Sequence, residues 1–437
     1  MKDQHNPDNV RQLHPKPEII PRAEHNISRA LISDAALKVL YRLSSAGFEA
    51  CLVGGSVRDL LLGREPKDFD VVTDAWPEQI RELFRNSRLI GRRFRLAHVR
   101  YGDEIIEVST FRASHQDAGD EGHVVDGRII RDNVYGTIDE DVWRRDFTVN
   151  ALYYNINDFS VVDYVGGMQD IRAGRIRLLG DPVKRYTEDP VRLLRAVRFA
   201  VKLGFRIEQE SERQIPELGR LLSDIPPARL FEEVLKLFMG GCAVQTFEQL
   251  RHYHLFGILF PQTEEVLAEQ EGGFPHTLLI KALENTDRRL AENKPVTPAF
   301  LIAALLWEPM MKTAREYMIE GLHEHEATHL ASDVVVSRQI SRTAMPRRFT
   351  QMAREIWLLQ YRLTLTKGKR PRRLLAHPRF RAAYDFLLLR AEAGENVTEL
   401  ADWWTRFQAD PANAELVSSA KPAASRKQRR RRRPRKG

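Results

Sequence analysis

Only two cysteines, Cys51 and Cys242, occur in 437 residues, and neither has a second Cys or a His nearby at metal-binding spacing. That excludes a disulfide framework and a zinc module, and leaves both as small buried hydrophobes. Long apolar runs are missing too: no stretch reaches 18 residues, and the start, MKDQHNPDNVRQLHPKPEII, lacks the apolar core of an export signal. The expectation is a cytoplasmic protein with no transmembrane segment. Aromatic residues are few at 8%, yet 43% of the chain is hydrophobic, enough for two or three domains with their own cores. Acidic residues vanish at the end. From Lys421 onward ten Lys and Arg stand without one Asp or Glu, so the net charge of +8 belongs to the tail and the chain before it sums to −2. Such a run cannot fold by burial. It is expected to be disordered and to condense on a polyphosphate, the alternative being a solubilising or membrane-surface tail.

Residues 1–27 are polar and proline-containing and read as irregular, after which Ser33 and Asp34 cap an amphipathic helix running through Ser45. From Phe48 to about Gly180, short β-type runs (FEACLV, FDVVT, LAHVRY, EIIEVSTF, VNALYYNI, VVDYV, RIRLL) alternate with turns and a few helices, predicting an α/β domain with a mixed or antiparallel sheet. Arg112 to Tyr135 reads as a long loop. Beyond Gly180 the periodicity is helical and stays so through Trp404, with no internal repeat. The whole is therefore α+β. Within the helical part, KGKRPRRLLAHPRFRAAYDFLLLR interleaves cations with Phe380 and Tyr384, a composition suited either to a phosphate backbone or to a solvated helix face.

The stretch LVGGSVRDLLLGREPKDFDVVT carries the first chemistry. Gly54 and Gly55 allow a tight turn with close ligand approach, Ser56 opens a helix whose free N–H groups attract anions, and Arg58 lies one turn further on. Asp68 and Asp70 follow at i and i+2, where a strand would turn both carboxylates to one face and Phe69 to the core. Adjacent carboxylates repel unless a cation lies between them, and hard oxygen ligands beside a phosphate site suit Mg²⁺. Two solvated acids at a strand edge are the alternative. A third carboxylate is expected in a two-metal site; Asp146, beside Arg144 and Arg145, is preferred to Glu107. Further along, Glu188-Asp189-Pro190 opens a helix carrying Arg192, Arg195 and Arg198 as a slanting stripe. Asp189 with an arginine fork could read the edge of a nucleobase, unless the arginines simply snorkel along a packed helix. His325-Glu326-Ala327-Thr328-His329 fits H-E-x-x-H, but nothing around it supports a zinc site, and it reads as a charged helix surface.

Four segments in order, LVGGSVRDLLLG with DFD, RRDFTVNALYY, DYVGGMQDIRAGRIRLLG and EDPVRLLRAVRFAVKLGF, resemble the tRNA nucleotidyltransferase and poly(A) polymerase family of polymerase-β-like nucleotidyltransferases. The resemblance implies a nucleotidyltransferase head at 28–180, a helical neck at 181–260, a helical RNA-binding body at 261–410 and an arginine-rich tail at 411–437. It also implies that Asp68 and Asp70 hold metal, that Asp146 is the third catalytic acid, and that Gly55 and Arg58 contact the triphosphate. Arg145, Asp189, Arg192, Arg195 and Arg198 would belong to the nucleotide pocket. Wider similarity, in RNSRLIGRRFRLAHVRYGDEIIEVSTFR, RLFEEVLKLF and HPRFRAAYDFLLLRAE, is to the bacterial poly(A) polymerase branch rather than the CCA-adding branch. That branch implies ATP as substrate, Mg²⁺ as cofactor, RNA 3′ ends as primers, and RNA-decay proteins as candidate partners. A non-catalytic RNA-binding protein is the reading from outside the enzyme class.

Overall fold

The Ser33 hydroxyl accepts the Ala36 amide at 3.1 Å and so starts α1 (Asp34–Ser45), whose buried face is Ala35, Ala36, Val39, Leu40 and Leu43. The cap and the apolar spacing are the ones legible in the sequence. In the computed structural model, which describes residues 16–91, 95–113, 124–125, 128–129, 134–270 and 277–413, the chain divides into two compact units, Met1–Leu222 and Ser223–Gly437. The expected neck, 181–260, spans this division. Residues 1–15, most of the expected Arg112–Tyr135 loop and the arginine-rich tail lie outside the described residues.

The first unit is built on β1 (Glu18–Ile20), β2 (Ala50–Val53), β3 (Asp70–Thr73), β4 (Ser87–Ile90), β5 (Leu96–Tyr101), β6 (Glu104–Thr110), the small hairpin β7 (Val124–Val125) and β8 (Arg128–Ile129), β9 (Leu152–Asn155) and β10 (Val161–Asp163). Eight of these form one sheet in the order β1-β10-β9-β2-β3-β6-β5-β4. Its pairs are antiparallel except β3 with β6, so the sheet is mixed, as predicted. The helices α2 (Gly55–Leu61), α3 (Pro77–Leu83), α4 (Ile138–Arg144), α5 (Gly167–Ala173), α6 (Pro182–Glu188) and α7 (Val191–Leu203) complete the frame of the site. Val39, Leu40, Leu52, Val71, Ile106, Val108, Leu152 and Tyr154 share one fully buried core. Residues 1–27 are not irregular throughout: Glu18–Ile20 add an edge strand to β10 and bury Ile20. Three residues are too few to display an alternating pattern, and only their distant partner reveals them.

The segment DYVGGMQD is a bolt. Asp163, itself buried, accepts the amides of Val165, Gly167 and Met168 at 3.0, 3.0 and 2.9 Å. Asp170, also buried, accepts the Thr148 hydroxyl at 2.7 Å and Arg177 Nε at 2.8 Å. Together they fix the 3-10 turn Thr148–Asn150, which faces the site described below.

The second unit is helical in its described residues, from Pro227–Phe238 to Thr398–Ala409, in accord with the periodicity. Its indoles are satisfied inside: Trp357 Nε1 donates to Ala303 O at 3.0 Å and Trp404 Nε1 to Leu363 O at 2.9 Å. His325, Glu326 and His329 lie exposed on the helix Glu324–Arg342, where His329 meets Asp333 at 3.7 Å. No helix among the described residues is long and apolar enough to cross a membrane.

A methyl group at Gly167 would lie 2.4 Å from the carbonyl oxygen of Thr148. Gly167→Ala is therefore expected to cost about 1–3 kcal/mol by overpacking against backbone that cannot give way. Urea unfolding measures this, and an unchanged midpoint would mean the bolt is slack.

Candidate active site

The sheet register brings the first acids together. Asp70 opens β3 between Val53 of β2 on one side and Glu107 of β6 on the other. These residues line a cleft of about 520 Å³ in the first unit, together with Gly54, Gly55, Arg58, Ser109, Arg112, Arg144, Arg145, Asp146, Asp189, Arg192, Arg195 and others. Phe69 is buried, and Asp68 and Asp70 are exposed, as the i, i+2 alternation predicts, although the strand begins only at Asp70. Asp68 is not among the lining residues, yet its charge reaches Asp70. The Asp70 carboxyl is pushed up to about 6, first by loss of hydration and then by Glu107, with Arg145 opposing and Asp68 adding to the rise.

Gly54 shapes the turn. Its φ of 75° and ψ of −134° suit only glycine, and a methyl group there would come 3.8 Å from Arg145 Nη1 and 4.0 Å from Asp70 Oδ2. Ser56 points inward, its hydroxyl donating to Val53 O at 3.1 Å, so its side chain braces the turn and does not line the cleft. Arg58 is buried, bonded through Nε and Nη2 to Asp59 Oδ1 at 2.8 and 2.6 Å and through Nη1 to Asn150 Oδ1 at 2.5 Å.

Asn150 continues the chain of contacts by donating Nδ2 to Asp146 Oδ1 at 3.1 Å. Asp146 Oδ2 in turn accepts Arg195 Nε at 2.8 Å and also Arg195 Nη2. Burial alone would raise the Asp146 carboxyl; Arg195, Asn150 and the Phe147 amide bring it down to about 2. Asp146 thus enters the cleft committed to an arginine, whereas Glu107, the less favoured candidate in sequence, stands directly across from Asp70. Glu107 also meets His98 Nε2 at 3.1 Å.

Arg145 is held by Asp141 at 2.7 Å and by the Tyr153 hydroxyl at 2.8 Å; burial works against its charge, but these two partners keep its pKa above the ordinary arginine value. Other arginines crowd the cleft. Burial and then mutual repulsion lower Arg144 to about 9 and Arg185 to about 10, and burial lowers Arg112 as well. Glu188 answers part of this charge, at 2.9 Å from Arg185 and 3.4 Å from Arg192. Crowded, dehydrated guanidinia beside a carboxylate pair suit a polyanion that arrives with its own cations. Asp189 sits between α6 and α7 at the cleft wall, next to buried Arg192. Arg198 is not among the lining residues; it lies 4.4 Å from the centre of the Phe199 ring. Sequence reasoning missed Arg112, Arg185, Asp141, Asn150, Tyr153 and Phe199. Asn150, Tyr153 and Phe199 lie within the family-like segments RRDFTVNALYY and EDPVRLLRAVRFAVKLGF, and Arg185 stands four residues before Asp189.

The donor set fits a divalent cation: it is all oxygen and anionic, and the charges of Glu107 and Asp68 both bear on the Asp70 carboxyl. Among the described residues Asp68, Asp70 and Glu107 approach without forming a ready-made cage of three or more ligands.

A mixed sheet with paired acids at a strand start, a glycine turn and an arginine-walled cleft defines a nucleotidyltransferase head. The crystal structure of the Bacillus stearothermophilus CCA-adding enzyme in complex with CTP has a similar fold, with a TM-score of 0.57 at 24% identity, covering 86% of this chain and 82% of that one. Family models match in three places: the Poly A polymerase head domain over residues 50–177, the probable RNA and SrmB-binding site of polymerase A over 204–267, and the polymerase A arginine-rich C-terminus over 320–437. Poly(A) polymerase I of Escherichia coli is 51% identical over 97% of this chain and 92% of its own length. Its Haemophilus influenzae counterpart is 49% identical over 89% and 88%. The chain belongs to the bacterial poly(A) polymerase I family.

A carboxyl whose folded-state pKa is raised from 3.8 to about 6 is a cost to the fold that is absent below pH 3.8 and complete above about pH 6. Asp70→Asn is therefore expected to raise the melting temperature at pH 8 without divalent cations and to leave it nearly unchanged at pH 4. Added Mg²⁺ should stabilise the wild type at pH 8 and not the variant. Equal Mg²⁺ shifts in both proteins would remove Asp70 from the candidate metal ligands.

Proposed function

We propose that the protein is a template-independent polymerase that adds AMP from ATP to RNA 3′ ends and releases pyrophosphate. The observation that carries this reading is the cleft, which sets Asp70 and Glu107 in register beside a wall of crowded, dehydrated arginines. Similarity to poly(A) polymerase I along nearly the whole chain supports the choice of ATP and RNA. The likeness to the CCA-adding enzyme, at 24% identity, is one of fold.

In this reading Arg112, Arg144 and Arg185 take the triphosphate charge, and Asp189 with Arg192 faces the adenine edge. Asp68 and Asp70, with Glu107 in preference to Asp146, would hold Mg²⁺, which when bound lowers the pKa of the 3′ hydroxyl and offsets charge on the leaving pyrophosphate. The 3′ oxygen attacks the α-phosphorus in line, and the bond to the bridging oxygen of the β-phosphate breaks. Arg145, locked by Asp141 and Tyr153, keeps a positive charge beside Asp70 and Gly54 throughout. Asp146 acts by holding Arg195 in the nucleotide pocket, and Arg58 by anchoring Asn150 beneath it.

Purified protein given Mg²⁺, a labelled RNA with a free 3′ hydroxyl and each nucleoside triphosphate separately is expected to build long ladders with ATP alone. Asp70→Ala should abolish them while circular dichroism shows the fold intact. Addition of two C and one A to a truncated tRNA would instead establish CCA addition. RNA binding with no nucleotide consumed would leave a binding protein.

A further inference from the structure

Three arginines of the first unit share one aromatic ring. The guanidinium carbons of Arg198, Arg58 and Arg195 lie over Phe199, at 4.4, 5.1 and 5.6 Å from the ring centre. All three distances fall inside the roughly 6 Å over which a ring face attracts a cation. Arg195 stands one helical turn before Phe199 on α7, so the two side chains share a helix face, whereas Arg58 reaches the ring from α2. Arg198, nearest the ring, does not line the cleft. The ring is itself held in place. Buried Phe147 meets it at 5.7 Å with the planes at 80°, and the Phe147 amide donates to Asp146 Oδ1 at 2.8 Å. Phe199 is buried, yet it is part of the cleft wall.

This placement solves a problem of charge. Arg58 commits Nε, Nη1 and Nη2 to Asp59 and Asn150, and Arg195 commits Nε and Nη2 to Asp146. The hydrogen-bonded run from Arg58 through Asn150 and Asp146 to Arg195 therefore uses the edges of both guanidinia, and Phe199 meets both of its ends. One more carboxylate could steady the same two arginines. It would also cancel positive charge that a triphosphate needs, and it would compete for N–H groups already committed. A ring face attracts a cation through its quadrupole, brings no net charge and occupies no N–H in the guanidinium plane. Exclusion of water strengthens that attraction. A leucine would fill much of the space and supply none of it.

We infer that Phe199 is a positioning residue for nucleotide binding, holding Arg58 and Arg195 at the cleft through its ring face while leaving their positive charge undiminished. The nucleotide as ligand rests on the ATP reading of the cleft; the hold of the ring on the two arginines does not.

The test replaces Phe199 in the full chain by mono-, di- and trifluorinated phenylalanine, which drain the ring face stepwise with little change of volume, and separately by Leu. ATP affinity, measured by calorimetry, should fall with each fluorine by about tenfold in total, and by a similar factor in Phe199→Leu. In nucleotide-free protein carrying nitrogen-labelled arginine, exchange of the Arg58 and Arg195 Nε–H with water, followed by NMR, should quicken in the same order. Arg145, which lies over Tyr153 instead, should keep its rate. Urea unfolding identifies folded variants, and the fluorinated series decides the matter even where Phe199→Leu does not fold. A loss of ATP affinity in Phe199→Leu with a flat fluorine series would overturn the proposal, because the ring would then serve only by filling space. Wild-type affinity throughout would overturn it too. If the wild type binds no ATP, the ATP reading fails by itself. The exchange rates still decide whether the ring holds the arginines, and unchanged rates across the series would show that it does not.

Discussion

Asp146 and Arg195 come from segments 49 residues apart, and their ion pair is where the sheet side of the cleft is tied to α7. Neither partner stands alone. Asn150 donates to Asp146 and accepts from Arg58, so one unbroken run of charge-assisted hydrogen bonds links α2, the Thr148–Asn150 turn and α7. Low-dielectric surroundings strengthen such a run when every member is satisfied and penalise it heavily when one is removed. The Gly54 turn leads into α2, and Arg192 of the arginine wall stands on α7, so both belong to elements that this run joins.

That dependence explains why DYVGGMQD, which touches no lining residue of the cleft through its carboxylates, matters to the chemistry. Asp163 and Asp170 spend their buried charge on fixing the turn that carries Asn150. The same economy appears at Arg145, whose partners Asp141 and Tyr153 hold it in place so that its charge stays beside Asp70. Much of the polar material around the site thus positions other residues, and a smaller part faces the substrate.

Local features of this arrangement were legible in the sequence because local physics produces them. The Ser33 cap, the strand LAHVRY, the Gly-Gly turn and the burial of Phe69 between two exposed acids all follow from spacing within a few residues. What was not legible depends on long-range pairing. Glu107 faces Asp70 only because β6 runs parallel to β3 in one particular register, and no distance along the chain encodes that. Asp146 drew attention through its neighbours Arg144 and Arg145, but its carboxylate is claimed by Arg195. Arg112 and Arg185 reach the cleft from elements whose local sequence says nothing of phosphate. Glu18–Ile20 likewise gains its strand identity from β10 alone.

The most direct measurement is ATP affinity by calorimetry in Asn150→Ala, with urea unfolding run alongside to confirm that the variant is folded. Losing two hydrogen bonds to charged groups is worth roughly 1.5–3 kcal/mol each to the network, part of which reaches the bound nucleotide. The account predicts a fall in ATP affinity of about ten- to a hundredfold, with binding of long RNA retained. Unchanged ATP affinity in a folded Asn150→Ala protein would contradict it, because the cleft would then hold its shape without the link that joins Arg58 to Asp146 and Arg195.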